Sequence, residues 1–155
     1  MASNDELLNQ LHRYIGETLN FYPVVEVRAN LTGGLADSPA YAVAVHTDKG
    51  APSIVLDASY TRWPADDLIH TFMHETAHHR AGHVHPATRV TSKAQPGTIT
   101  HAMALQYERN ERTANQIAAS YIKGFNAWRE KAQIEQLQKD VEFIKWALRQ
   151  RGLVK

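Results

Sequence analysis

Apolar residues recur at Leu7, Leu8, Leu11, Ile15 and Leu19, intervals that close a single stripe along a 3.6-residue helix. Ser3, followed three residues later by Glu6, supplies a capping box at the start of that stripe. The pattern predicts a first helix from about residue 4 to about residue 20, stopped by Pro23. The period then changes. Val24 to Ala29, Tyr41 to His46 and Ser53 to Asp57 are short runs rich in β-branched and aromatic residues. Between them lie the turn residues Gly33-Gly34 with Asp37-Ser38-Pro39, and Asp48-Lys49-Gly50 with Pro52. Three short strands joined in this way predict a small, mostly antiparallel sheet.

Helical spacing returns after Pro64-Ala65-Asp66-Asp67, where a proline and two acids suit the positive end of a helix. Leu68, Ile69, Phe72, Met73 and Ala77 then give a stripe that can press this segment onto the sheet. From Ala81 to about Ala102 the chain is rich in Gly, Pro, Thr and Ser without a sustained period, which predicts a long irregular segment and a functional loop or substrate rim. Helical patterning resumes from Met103 to Ile122, with Lys123-Gly124 expected to end it, and a last helix is expected from about Asn126 to Arg151, closed by Gly152. In that last helix Ile134, Leu137, Val141, Ile144 and Leu148 alternate intervals of 3 and 4. Such a two-heptad seam could pack on the rest of the chain, the simpler reading, or on a second subunit as a homo-oligomer.

Length and composition narrow the class. At 155 residues there is enough chain for one core and little for two, so residues 1–155 are expected to form one α+β domain, with 126–151 as a helical appendage. A hydrophobic share of 43% and a charged share of 21% are those of an ordinary globular protein. The formal net charge is +1, and from Lys123 onward eight Lys or Arg face four acids, a solvated helix face rather than a phosphate track. No strong nucleic-acid signal follows. There are no cysteines, so disulfides and thiolate metal sites are excluded, and any transition-metal site must be made of His and carboxylate. Met-Ala-Ser-Asn-Asp-Glu lacks the basic start and apolar core of a signal peptide, and no apolar stretch approaches membrane-spanning length, so a cytoplasmic protein with no membrane partner is expected.

The chemistry is concentrated in His74-Glu75-Thr76-Ala77-His78, a His-Glu-x-x-His run. On a helix, positions i and i+4 share a face, so both imidazoles can reach one cation while Glu75 holds a water beside it. With 9 His and 9 Glu in 155 residues, roughly 0.03 accidental matches are expected in such a chain, and the run falls on a predicted helix. A catalytic zinc takes three protein ligands and keeps a position for water, so a third is needed. The metzincin spacing would require Gly and His where Ala81 and Val84 stand, leaving Gly82 and His83 out of register, and His85 does not restore it. The remaining source is a carboxylate from a later helix, where Glu108 and Glu111 are three residues apart on one face.

Glu111-Arg112-Thr113-Ala114-Asn115-Gln116-Ile117-Ala118-Ala119, together with His74-Glu75-Thr76-Ala77-His78, resembles the paired motifs of the ImmA/IrrE family of metallopeptidases. The resemblance covers roughly residues 24 to 122. It departs from the family in reading His-Glu-Thr-Ala-His for the usual His-Glu-Leu-Gly-His, in Ile117-Ala118 for Phe-Ala, and in lacking a Leu-Met-Pro ending. It implies a zincin-like fold and zinc held by His74, His78 and Glu111, with Asn115 supporting the site one turn on. It also implies cleavage of an intracellular protein substrate, in that family often a transcriptional regulator. Antirestriction proteins and SprT-like proteases carry related domains.

The expected activity is zinc-dependent hydrolysis of a peptide bond, with Glu75 as general base and proton donor to the leaving amine. Tyr107 and His101 are candidate donors to the oxyanion, and the sequence does not choose between them. His79 and His83 are expected to line the approach or stand in water, and His70 to be an ordinary polar position. Two other functions fit the same residues: a catalytically weak scaffold that captures a partner, and a helical interaction protein that binds metal incidentally. An intact Glu75 argues against the first, because a pure binder needs no base.

Overall fold

In a computed structural model the described residues are 3–33, 38–83 and 99–154, so most of the expected irregular segment, with His85, lies outside them. The chain divides into two compact units, Met1–Ile122 and Lys123–Lys155. In the first, α1 (Asn4–Leu19) begins as its sequence predicts, with the Ser3 hydroxyl accepting the Glu6 N–H. It ends before Pro23. Asn20 takes the left-handed conformation, φ 51°, and the Phe21 N–H bonds back to the Ile15 carbonyl, a C-terminal cap that needs no proline.

The strands are β1 (Val24–Arg28), β2 (Thr32–Gly33), β3 (Ser38–Pro39), β4 (Ala42–His46) and β5 (Pro52–Asp57). β2 and β3 make a minor antiparallel pair, and the principal sheet has the order β1-β5-β4. Its sense corrects the expectation of a mostly antiparallel sheet. β4 and β5 form an antiparallel hairpin, turned at Gly50 with φ 81°, whereas β1 lies parallel to β5 with Val24 opposite Ser53 and Arg28 opposite Asp57. Local turn chemistry sets the hairpin; the long connection from β1 delivers that strand to the far side of β5, where the return direction is parallel. Central β5 is accordingly the buried strand, with Ser53, Ile54, Val55 and Leu56 all inaccessible or nearly so.

After a 3-10 turn at Ala58–Arg62, α2 (Ala65–Arg80) carries the His-Glu-x-x-His run. Asp66 and Asp67 lie in its first turn and Arg80 in its last, charges that match the two ends of the helix dipole. Its Leu68, Phe72, Met73 and Ala77 are fully buried, and the helix packs on β4, β5 and α1. Asn4 Nδ2 donates to the carbonyls of both Tyr60 and Trp63, at 2.8 Å each, and Tyr60 donates to Asp5, so the start of α1 fixes the entry into α2.

α3 runs from Ile99 to Gln150 as one helix, which corrects three boundaries. It starts within the segment expected to be irregular, and Lys123-Gly124 neither ends it nor separates a last helix beginning at Asn126. A glycine inside a helix costs only about 1 kcal/mol relative to alanine. Neighbouring Phe125 is fully buried, and no proline follows to block propagation. Among the described residues no helix is long and apolar enough to cross a membrane. In the second unit Ile134, Leu137, Val141 and Ile144 are exposed.

Candidate metal centre

α2 presents His74 and His78 one turn apart, and α3 brings Glu111 against both. His78 Nε2 lies 2.8 Å from Glu111 Oε1, His74 Nε2 lies 3.1 Å from Glu111 Oε2, and the two Nε2 atoms are 3.0 Å apart. These three are the one group of His, Cys, Asp or Glu side chains among the described residues with ligand atoms close enough to share a cation. Ligand atoms around a tetrahedral zinc, each about 2.0–2.1 Å from it, stand roughly 3.3 Å from one another, and one ligand atom from each of these residues lies within 4.8 Å of the others.

Hydrogen-bond chemistry also favours a cation. His74 Nδ1 lies 2.8 Å from Asn115 Oδ1, which can only accept, so Nδ1 carries the hydrogen and Nε2 the lone pair. That lone pair then faces a carboxylate oxygen at 3.1 Å. Two acceptors at that distance repel unless a proton or a metal ion sits between them. The proton leaves its mark on the ionisation of the site. Burial disfavours a charged His74, but its hydrogen bond to Glu111 and the charges of Glu75 and Glu111 outweigh burial and raise its pKa. Burial likewise opposes the Glu111 anion, and the hydrogen bonds to His74 and His78 overcome it, holding the carboxyl at about 2.

Glu75 is buried beside the cluster without joining it. Burial first, and the charge of Glu111 second, push its carboxyl up to about 8, although His74 and the backbone N–H of Ala44 favour the anion. A carboxyl so placed gives up its proton readily only when positive charge arrives nearby. The Ala44 contact comes from β4, the edge of the sheet. A backbone donor has no sequence signature, and this contact is the site feature that residue patterns could not reveal.

The other polar residues separate clearly. Glu108 is exposed and outside the cluster, so of the two glutamates left open by their spacing it is Glu111 that stands with the histidines. Tyr107, one turn before Glu111, is half-buried; burial, then the charges of Glu111 and Glu75, raise its phenol pKa, so the hydroxyl lies within their field. The side chain of His101 falls outside the described part. His70 is exposed.

His79 corrects the expectation of a residue lining the approach. Its Nε2 lies 2.7 Å from the Ser53 carbonyl and its ring packs against Phe21 and His46, tying α2 to β5. Burial depresses its pKa, so it stands neutral and donates that hydrogen. Its neighbour His83 has its ring centroid 5.6 Å from that of His78. Comparison of the chain with protein families, curated proteins and solved structures found no match.

Proposed function

We propose that this protein is a zinc-dependent peptidase that hydrolyses peptide bonds in a protein substrate, with a zincin-like site of the ImmA/IrrE kind. The observation that carries the reading is the convergence of His74, His78 and Glu111, contributed by two helices, beside a buried Glu75 that none of them neutralises by direct pairing. Two neutral imidazoles and one carboxylate are a donor set suited to zinc, and three ligands leave a coordination position for water or substrate. A zinc ion held there supplies Lewis acidity, which makes water nucleophilic near neutral pH and polarises a scissile carbonyl.

The chain's own groups do the rest. Asn115 holds His74 in the tautomer whose Nε2 is free to ligate, a role that outer partners of metal-binding histidines commonly play. Glu75 accepts the proton of the attacking water and passes it to the leaving amine. Its high resting pKa suits the second half of that cycle, and nearby positive charge suits it to the first. Edge strand β4 supports a peptide as the substrate class. The bonds from Asp57 N–H to the Tyr41 carbonyl and from Thr47 N–H to the Ala51 carbonyl direct alternate residues of β4 toward β5. The backbone groups of Ala42 and His46 and the Ala44 carbonyl are thereby turned outward, while the Ala44 N–H is held by Glu75, and an extended chain can add to such an edge.

The test is cleavage of an unbiased peptide library by zinc-loaded protein. Glu75→Gln should retain zinc and lose about 10²–10⁴-fold in rate, the usual scale of general-base catalysis. Equal rates for wild type and Glu75→Gln, or no cleavage by zinc-loaded wild type, contradict the proposal.

A further inference from the structure

We propose that the second unit is a dimerisation element, which pairs with the same segment of a second copy of this chain as a parallel two-stranded coiled coil. Ile134, Leu137, Val141 and Ile144 are 50%, 63%, 47% and 56% exposed. Contiguous exposure of this kind is uncommon on a helix with no partner. With Ile134 in the first position of a heptad, these residues and Leu148 occupy its a and d positions. The stripe is narrow, two positions in seven, and is flanked by Gln133, Gln138, Asp140 and Lys145. A partner helix fits that width; Phe143 and Trp146 are also exposed, but at the c and f positions away from the seam, so they do not broaden it into the wide single face a lipid surface takes.

The flanking charges choose both the partner and its direction. In a parallel pair the g position of one helix meets the e position of the next heptad on the other. Asp140 is a g residue and Lys145 the following e residue, so two copies form that opposite-charge pair twice, once on each side. Gln133 and Gln138 make the preceding g to e pair and are neutral. In the antiparallel arrangement that keeps the full seam in register, Lys131 would meet Lys145 of the other copy and Asp140 would meet Asp140. Like charges there oppose it. Within one chain Lys145 has Glu142 at 3.6 Å, an exposed contact of little strength that does not compete with an interhelical pair. Ile134 and Val141 at a with Leu137 at d favour two strands, whereas Ile144 at d with Leu148 at a favours a larger number, so the measured mass of the assembly decides between them.

Sedimentation equilibrium of the full chain at tens of micromolar should give twice the 17.4 kDa chain mass. Leu137→Asp combined with Ile144→Asp should give a monomer whose β5 amides keep their protection from hydrogen exchange. Lys145→Asp sets Asp140 of each copy against the newly introduced acid of the other in the parallel pair, and should weaken association about tenfold or more. In the antiparallel pair the same change would tighten it by setting Lys131 against the new acid. Because the chain has no cysteine, Val141→Cys should form an interchain disulfide on mild oxidation, whereas Lys139→Cys, on the outer face, should not. A monomeric wild type, a trimer, a tighter Lys145→Asp variant, or equal cross-linking at both positions overturns the proposal. None of these readings depends on whether the protein hydrolyses peptides.

Discussion

α2 and the distal part of α3 invert the ordinary burial rule in opposite directions. α2 buries Glu75 and His78 and half-buries His74, groups that water would otherwise solvate. Distal α3 exposes Ile134, Leu137, Val141 and Ile144, groups that water would otherwise expel. An ordinary helix shows neither, since buried charge and exposed contiguous apolar surface both cost free energy. Each helix thereby shows what a single chain lacks. Buried acceptors that face one another call for a cation, and an exposed seam calls for another helix.

The comparison breaks most sharply if α2 is not held by its core. Phe72→Ala removes a fully buried ring from the face that presses α2 into the protein, and should destabilise it by about 3–5 kcal/mol. Chemical denaturation checks this; a loss under about 1 kcal/mol would mean that the helix is not anchored through that face.

A smaller effect sharpens the electrostatic half. In an unfolded chain the Glu75 carboxyl ionises near 4.5, whereas the folded, cation-free protein keeps its proton to about 8. The folded state therefore binds more protons across that interval, and the stability contributed by this group falls as pH rises from 4.5 to 8. Glu111 has the opposite sign. Its carboxyl is lowered to about 2, so its contribution is present above 4.5 and is lost as pH falls toward 2. Glu75→Gln, which cannot ionise, should accordingly be more stable than wild type at pH 8 in the presence of chelator, by an amount on the order of a few kcal/mol, and the difference should vanish near pH 4.5. Zinc should narrow the gap by favouring the carboxylate. A pH-independent difference in denaturation midpoint would contradict the buried, proton-holding Glu75.

The mildest probe concerns Asn115. Asn115→Ala frees His74 Nδ1 and should weaken zinc binding about 10–100-fold while leaving the fold intact. Titration with a competing chromophoric chelator reads that shift. Unchanged affinity would remove Asn115 from the site.

What the sequence carries is what short range determines. Ser3 with Glu6 marks the start of α1, and Pro64 with Asp66 and Asp67 marks that of α2. The His-Glu-x-x-His run is legible because one turn of one helix holds it. Glu111 is less so: residue type and spacing leave it beside Glu108, and only the resemblance separates them, since the pairing with α2 spans 33 residues. Long-range pairing is silent. Nothing in Val24–Arg28 states that its neighbour will be β5, or that the two run parallel. The role of His79 is hidden for the same reason, because its partner is the Ser53 carbonyl on another element. Gly124 misleads because a stop signal in sequence is a modest local preference, about 1 kcal/mol, which the continuing helical pattern outweighs.

The most direct measurement is the zinc content of the purified chain and of Glu111→Ala, by elemental mass spectrometry after dialysis against a weak chelator. Wild type should hold one zinc per chain and Glu111→Ala little or none, with both proteins folded. Wild type without zinc, or Glu111→Ala holding as much as wild type, would contradict it.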